Sequence, residues 1–143
     1  MRIFVRKDVC SGCRACEVAC VAAHEGGFGR ERRRITVVKA ESEGVDEPVV
    51  CRQCGRPLCV PACPAGALIV DETTGSILLR SEACTGCQAC AEACPFGAIA
   101  LDLPSGLPLI CDLCQGDPAC VKRCATGAIA LSSRGPVGRA AWD

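Results

Sequence analysis

Thiols carry the chemistry of this chain. Its 143 residues include sixteen cysteines in four groups of four: Cys10-x2-Cys13-x2-Cys16-x3-Cys20, Cys51-x2-Cys54-x4-Cys59-x3-Cys63, Cys84-x2-Cys87-x2-Cys90-x3-Cys94 and Cys111-x2-Cys114-x5-Cys120-x3-Cys124. No cysteine lies outside a group. A cubane iron–sulfur centre takes four thiolates, and C-x2-C-x2-C-x3-C-P is one run that presents them. Cys84 to Pro95 spells that run in full. Sixteen ligands in this pattern imply four [4Fe–4S] clusters and the movement of electrons.

Ligands at these spacings need particular local structure. A C-x2-C-x2-C stretch can wrap one cubane and offer three sulfurs. Glycine at Gly12 and Gly86 permits the tight turn, because it tolerates positive φ. Between the third and fourth cysteines lie helix-compatible residues such as Glu17-Val18-Ala19 and Ala91-Glu92-Ala93. One helical turn there aims the fourth cysteine away from the first three, towards a second cluster. Groups therefore work in pairs. Cys63 and Cys94 are followed by proline, whereas Cys20 and Cys124 are followed by Val21 and Ala125. That asymmetry favours pairing the second group with the third and the first with the fourth, with sequential pairing left open.

An internal repeat supplies the framework. After the fourth cysteines the chain reads Pro64-Ala65-Gly66-Ala67-Leu68-Ile69, Pro95-Phe96-Gly97-Ala98-Ile99-Ala100 and Ala125-Thr126-Gly127-Ala128-Ile129-Ala130. Each predicts a turn at Gly followed by a short strand. Further strands are predicted over 3–6, 35–39 and 77–80, with 71–75 turning 68–70 into the last of these. The spacer 21–50 reads as a surface excursion holding Arg30-Glu31-Arg32-Arg33-Arg34, and the residues after Leu131 read as an arm ending near Trp142.

Composition narrows the function class. One Trp, three Phe and no Tyr leave a core of aliphatic residues and cofactors, so the metal-free chain should fold poorly. The first residues are broken by charge, which fits neither a secretory leader nor a disulfide scaffold, and a reducing cytoplasm is expected. No run of about 20 apolar residues suggests membrane insertion. Sixteen basic residues balance sixteen acidic ones, but thiolate ligation of four clusters leaves a formal charge of roughly −8. That opposes nucleic-acid binding and suits a partner with a basic face. Zinc knuckles do not need a third cysteine two residues on. The single His24 has no nucleophile partner, is surplus as a ligand, and reads as a surface or supporting residue. Arg14, Arg52, Arg56, Lys122 and Arg123 flank ligands and either tune clusters or offset their charge. Nothing supports independent catalysis.

The four groups in this order, beginning with Cys10-Ser11-Gly12-Cys13-Arg14-Ala15-Cys16-Glu17-Val18-Ala19-Cys20 and covering most of residues 1–131, resemble a known family. They are similar to the four-cluster iron–sulfur subunits of the dimethyl sulfoxide reductase, formate dehydrogenase and formate hydrogenlyase type. They also resemble the small ferredoxin-like partners of carbon monoxide dehydrogenase and tungsten aldehyde oxidoreductase. The resemblance implies one cluster on Cys10, Cys13, Cys16 and Cys124, and another on Cys111, Cys114, Cys120 and Cys20. It implies a third on Cys51, Cys54, Cys59 and Cys94, and a fourth on Cys84, Cys87, Cys90 and Cys63.

The expected fold is α+β, two fused bacterial two-cluster ferredoxin-like modules around a cofactor-dominated core. One module spans 1–48 plus 105–143, and the other is inserted at 49–104. The expected role is a non-catalytic electron-transfer subunit of a cytoplasmic oxidoreductase. Its catalytic partner would be a tungsten or molybdenum pterin enzyme, a carbon monoxide dehydrogenase or a hydrogenase. A second redox partner, or further copies of the chain, could take the other end. The alternative is a free polyferredoxin shuttling electrons between enzymes.

Overall fold

A computed structural model describes residues 1–29 and 31–132. The expectations for Arg30, for the arm at 133–143 and for Trp142 lie outside the described residues.

Short strands and helices succeed one another: β1 (Arg2–Val5), α1 (Ala15–Glu25), β2 (Ile35–Ala40), β3 (Val45–Val50), α2 (Cys59–Ala62), β4 (Leu68–Val70), β5 (Ile77–Leu79), α3 (Ala89–Ala93), β6 (Ala100–Leu101), β7 (Pro108–Leu109), α4 (Ala119–Arg123) and β8 (Ile129–Ser132). Single 3-10 turns occupy Lys7–Val9 and Leu113–Gly116. Among the described residues the strands form four separate antiparallel pairs, β1 with β8, β2 with β3, β4 with β5 and β6 with β7. Ile3 sits opposite Leu131, so the first and last described elements lie side by side. Helices pair across the sequence too, α1 with α4 and α2 with α3.

Local chemistry explains the boundaries. Helices α2, α3 and α4 have four or five residues, far below what a peptide holds by itself. Each ends where the next cysteine, Cys63, Cys94 or Cys124, turns extended. The turn between β4 and β5 is locked by Asp71, whose carboxylate accepts from the Thr74 N–H at 2.9 Å and the Thr74 hydroxyl at 2.5 Å. Gly75 follows with φ +73°.

The core is thin and aliphatic. Ile3, Ile35, Ile77, Leu113 and Val50 are its fully buried large side chains, and they form one cluster with cysteines of all four groups, including Cys16, Cys51, Cys90 and Cys120. The core therefore surrounds the thiols.

Three expectations need correction. Helix α1 has eleven residues rather than one turn, because Ala19, Ala22 and Ala23 favour helix until Gly26 stops it at φ +66°. The spacer 21–50 is therefore mostly ordered structure, the end of α1 and the β2–β3 hairpin. Strands β3 and β7 have no signal in the sequence, since β3 contains Asp46, Glu47 and Pro48 and β7 begins at Pro108. In a two-stranded sheet every strand is an edge, which is where proline is tolerated.

Candidate metal centres

All sixteen cysteines are free thiols, and the fold gathers them. One recess of about 310 Å³, partly open to solvent, is lined by Cys63, Cys84, Cys87 and Cys90 against Leu68, Leu79 and Pro108. A second of about 290 Å³ is lined by Cys10, Cys13, Cys16 and Cys124 against Val37, Pro48 and Ile129. Each recess receives three cysteines from one group and the fourth cysteine of another.

Mutual electrostatics relates cysteines outside these two linings to one another. Burial pushes Cys51 up to about 12, with repulsion from Cys54, Cys59 and Cys94 adding to it. Cys54 and Cys59 are likewise raised by burial and by Cys94. Burial raises Cys111 well above the ordinary thiol range and Cys120 to about 12, and Cys20 contributes to both. Contributions also run between these sets: Cys90 acts on Cys59 and Cys16 on Cys120, while Cys51 leads the thiol contributions to Cys111, ahead of Cys120 and Cys20. Two thiol quartets therefore line the two recesses, while Cys94 acts on the second group and Cys20 on the fourth. Among the described residues, Cys13 and Cys87 are the exposed cysteines, one in the lining of each recess.

Backbone geometry aims the sulfurs. Gly12 and Gly86 have φ of +66° and +71°, and Arg14 and Gln88 are held left-handed at +60° and +66° ahead of α1 and α3. A Cβ at Gly12 would also meet the Asp46 carboxylate of β3, which would have to shift. Backbone N–H groups point at sulfur from Ala67 to Cys63 at 3.3 Å, Gly86 to Cys84 at 3.4 Å and Arg34 to Cys20 at 3.3 Å. The Ala67 N–H leads the causes that lower Cys63. At Cys124, burial is outweighed by the Thr126 hydroxyl and by the N–H groups of Ile129 and Ala128, so the thiol is lowered. Such N–H donors favour thiolate. Soft sulfur donors in convergent fours, with N–H groups on the sulfurs, fit [4Fe–4S] ligation.

Three polar side chains support the groups, and of these the sequence points only to His24, as a surface or supporting residue. Gln53, only 3% exposed, donates through Nε2 to the Cys111 carbonyl at 2.6 Å and accepts from the Ile77 N–H at 3.1 Å. Glu17 is fully buried and accepts from the Val37 N–H at 2.7 Å, which fastens β2 to α1. Arg33 Nε approaches the same carboxylate at 3.7 Å. His24, read as surplus, is engaged on both ring nitrogens: Nδ1 lies 2.8 Å from the Cys20 carbonyl and Nε2 2.9 Å from Asp112 Oδ1. The Asp112 bond, then the Cys20 contacts, raise His24 to about 10, and the same bond lowers Asp112 to about 2. Helix periodicity alone could have placed His24 on the face of Cys20. Nothing in the sequence could have placed Asp112 opposite it.

The arginine stretch is likewise more than a solvated loop. Arg32 pairs with Glu25 at 2.8 Å and reaches Asp102 at 3.4 Å, besides the Arg33 and Arg34 contacts above. Of the basic residues beside ligands, Arg52 stacks over Phe96 at 5.2 Å, and Lys122 pairs with Asp117 at 2.6 Å.

Comparison with known proteins gives concordant matches. The family model described as a 4Fe-4S dicluster domain matches residues 45–134, and a 4Fe-4S binding domain matches residues 7–22. The polyferredoxin-like subunit of an aliphatic sulfonate oxidoreductase from Pyrococcus furiosus is 44% identical over 111 residues, 78% of this chain and 64% of that protein. The electron transport protein HydN of Escherichia coli is 35% identical over 97 residues, 62% of this chain and 53% of its own length. The chain thus spans less than two thirds of either relative. Among solved structures, a chain of the active-site complex BamBC of benzoyl coenzyme A reductase aligns with a TM-score of 0.56 at 28% identity, covering 97% of this chain and 82% of that one.

Proposed function

The chain belongs to the 4Fe-4S dicluster domain family, and on that premise we propose that it is a four-cluster conductor between a catalytic oxidoreductase subunit and a second redox partner. As an iron–sulfur electron-transfer protein it stands with the ferredoxin-like subunits of oxidoreductases. The observation that carries the finer reading is the lining of the two end recesses, each by three cysteines of one group and a fourth from a distant group.

In this reading Cys84, Cys87, Cys90 and Cys63 hold one end cluster, and Cys10, Cys13, Cys16 and Cys124 the other. Cys51, Cys54, Cys59 and Cys94 hold one inner cluster, and Cys111, Cys114, Cys120 and Cys20 the second. Residues 1–48 with 105–143 then act as one ferredoxin-like module and 49–104 as an inserted one. The α1–α4 and α2–α3 packing and the β1–β8 pairing support that division. When bound, the clusters supply one-electron exchange at thiolate-held iron. The protein binds them through sixteen sulfurs, surrounds the inner quartets with Ile, Val and Leu side chains, and opens Cys13 and Cys87 to solvent at opposite ends of the row.

The catalytic partner is, in this proposal, a separate subunit. The likeness to a subunit of an aliphatic sulfonate oxidoreductase favours an oxidoreductase in that place, and a tungsten or molybdenum pterin enzyme, a carbon monoxide dehydrogenase and a hydrogenase are the candidates. Sixteen reduced thiols suit the cytoplasm. Among the described residues, no helix is long and apolar enough to cross a membrane.

The test is anaerobic purification of the untagged protein from its own cells, followed by metal analysis of the intact particle. Tungsten, molybdenum or nickel together with more than about sixteen irons per chain supports the subunit reading. About sixteen irons and no other metal, on a particle the size of one chain, leaves a free polyferredoxin instead.

A further inference from the structure

The two recesses are built on one frame. Each takes three cysteines at C-x2-C-x2-C spacing and the fourth cysteine of another group. Gly12 matches Gly86 at φ of +66° and +71°, and Arg14 matches Gln88 at +60° and +66°. Four residues ahead of each group, an arginine donates to the glycine carbonyl beyond the fourth cysteine. Arg6 reaches Gly127 at 3.4 Å, and Arg80 reaches Gly66 at 3.0 Å. The two ends can therefore be compared position by position.

Charge is what differs. Exposed Lys7 stands where the other end has Ser81, and Arg14 where it has Gln88. Exposed Arg123 precedes Cys124 where Ala62 precedes Cys63. Among the described residues, none of these three cations has an ion-pair partner. The carboxylates do not cancel them. Asp8 is matched by Glu82, and Glu92 of the other end replaces Val18. Glu17 is buried on the Val37 N–H, Asp46 pairs with Lys39 at 3.6 Å, and Asp117 pairs with Lys122. Offsetting a cluster's charge does not explain the three cations, since the other recess has the same four thiols without them.

We propose that the Cys13 end is the docking face for an acidic one-electron carrier protein, held by Lys7, Arg14 and Arg123, and that the Cys87 end is not. The proposal rests on the reading that each recess holds a cluster. Carboxylates of the carrier pair with the three cations, beside the exposed Cys13. The formal charge of the loaded chain favours a basic partner, and this end is the local exception. Complementary charge speeds encounter and fixes orientation. Such contacts are small and weakened by salt, so the carrier leaves after each exchange. One electron crosses per encounter, oxidising whichever of carrier and cluster is reduced and reducing the other. The Cys87 end then falls to the other partner.

The test is an NMR titration, at low salt, of a nitrogen-15-labelled acidic two-cluster bacterial ferredoxin with the oxidised, cluster-loaded full chain. Wild type should bind, and binding should weaken as salt is raised. Lys7→Ser with Arg123→Ala gives this end the residues of the other and should raise the Kd about tenfold. Adding Arg14→Gln should raise it further. Arg2→Gln with Arg56→Gln removes two charges that line neither recess and should leave the Kd as it is. The converse exchange, Ser81→Lys with Ala62→Arg, should tighten binding by giving the chain a second face. No binding by wild type overturns the proposal. So does an unchanged Kd in Lys7→Ser with Arg123→Ala, or an equal loss in the two charge-removing double variants. Tighter binding of a DNA duplex through Lys7 and Arg123 overturns the choice of occupant. Fewer than about sixteen irons in wild type, with the expected order of Kd values, faults the four-cluster reading and leaves the docking face standing.

Discussion

Gln53 Nε2 donates to the carbonyl oxygen of Cys111 at 2.6 Å, across 58 residues of sequence, while its Oε1 holds the Ile77 N–H. One side chain thus ties the second cysteine group to the fourth and to β5, at a point 3% exposed. Gln53→Ala strands two buried backbone groups, each costing about 1–3 kcal/mol. The anaerobic thermal midpoint of the loaded protein, followed by cluster absorbance, should fall. An unchanged midpoint would mean that water replaces the amide.

Pairing of the cysteine groups can be read by counting iron in double variants. If Cys13 and Cys124 serve one cluster, Cys13→Ser with Cys124→Ser loses about four irons, no more than either change alone. Cys114→Ser with Cys124→Ser, on two different clusters, loses about eight. Sequential pairing predicts about eight for both pairs, so the first double variant decides between the two schemes.

Gly12→Ala meets two obstacles, a φ of +66° and the Asp46 carboxylate. The left-handed backbone costs a non-glycine residue roughly 1–2 kcal/mol. The variant should lose its Cys10–Cys13–Cys16 cluster first on mild warming. Adding Asp46→Ala should restore part of the resistance, because it removes the collision but leaves the backbone strain. Full recovery would show that the carboxylate was the whole obstacle.

Glu17 is a buried acceptor for the Val37 N–H at 2.7 Å. Glu17→Ala should loosen the β2–β3 hairpin from α1 by about 1–3 kcal/mol. Glu17→Gln, which keeps an acceptor oxygen, should cost less. Amide hydrogen exchange at Val37 reports the difference directly, and equal exchange in both variants would refute the assignment.

Iron removal should unfold most of the chain. The helices other than α1 are too short to persist alone, and the four sheets have two strands each. Each thiol gives up a proton to become a ligand, so acid opposes loading. Chelator-driven iron loss should therefore accelerate as pH falls, with circular dichroism lost in step. A metal-free chain retaining its full spectrum would show that the aliphatic core suffices.

What the sequence revealed, and what it hid, follows from the range of the forces involved. Cysteine spacing is covalent and local, so the ligand groups could be read directly, as could the glycine turns ahead of β4 and β8. The Asp71–Gly75 turn was legible because its stabilising bonds run within five residues. Strand β3 was hidden because pairing with β2, not the propensities of Asp46 and Pro48, makes it extended. Gln53, Glu17 and the Asp112 partner of His24 were hidden for a related reason. Each is an ordinary polar residue whose partner lies 20 to 88 residues away, with Val37, Cys111 and His24 among those partners.

In the proposed row of clusters, the exposure of Cys13 and Cys87 at its two ends has a consequence for how the molecule ages. Oxidants reach accessible, thiolate-like sulfur first. Air damage should therefore consume the molecule from both ends inward, and the quartets of Cys51 and Cys111 would survive longest. A sample handled carelessly would keep its colour and its inner pair of centres while losing the proposed points of electron entry and exit.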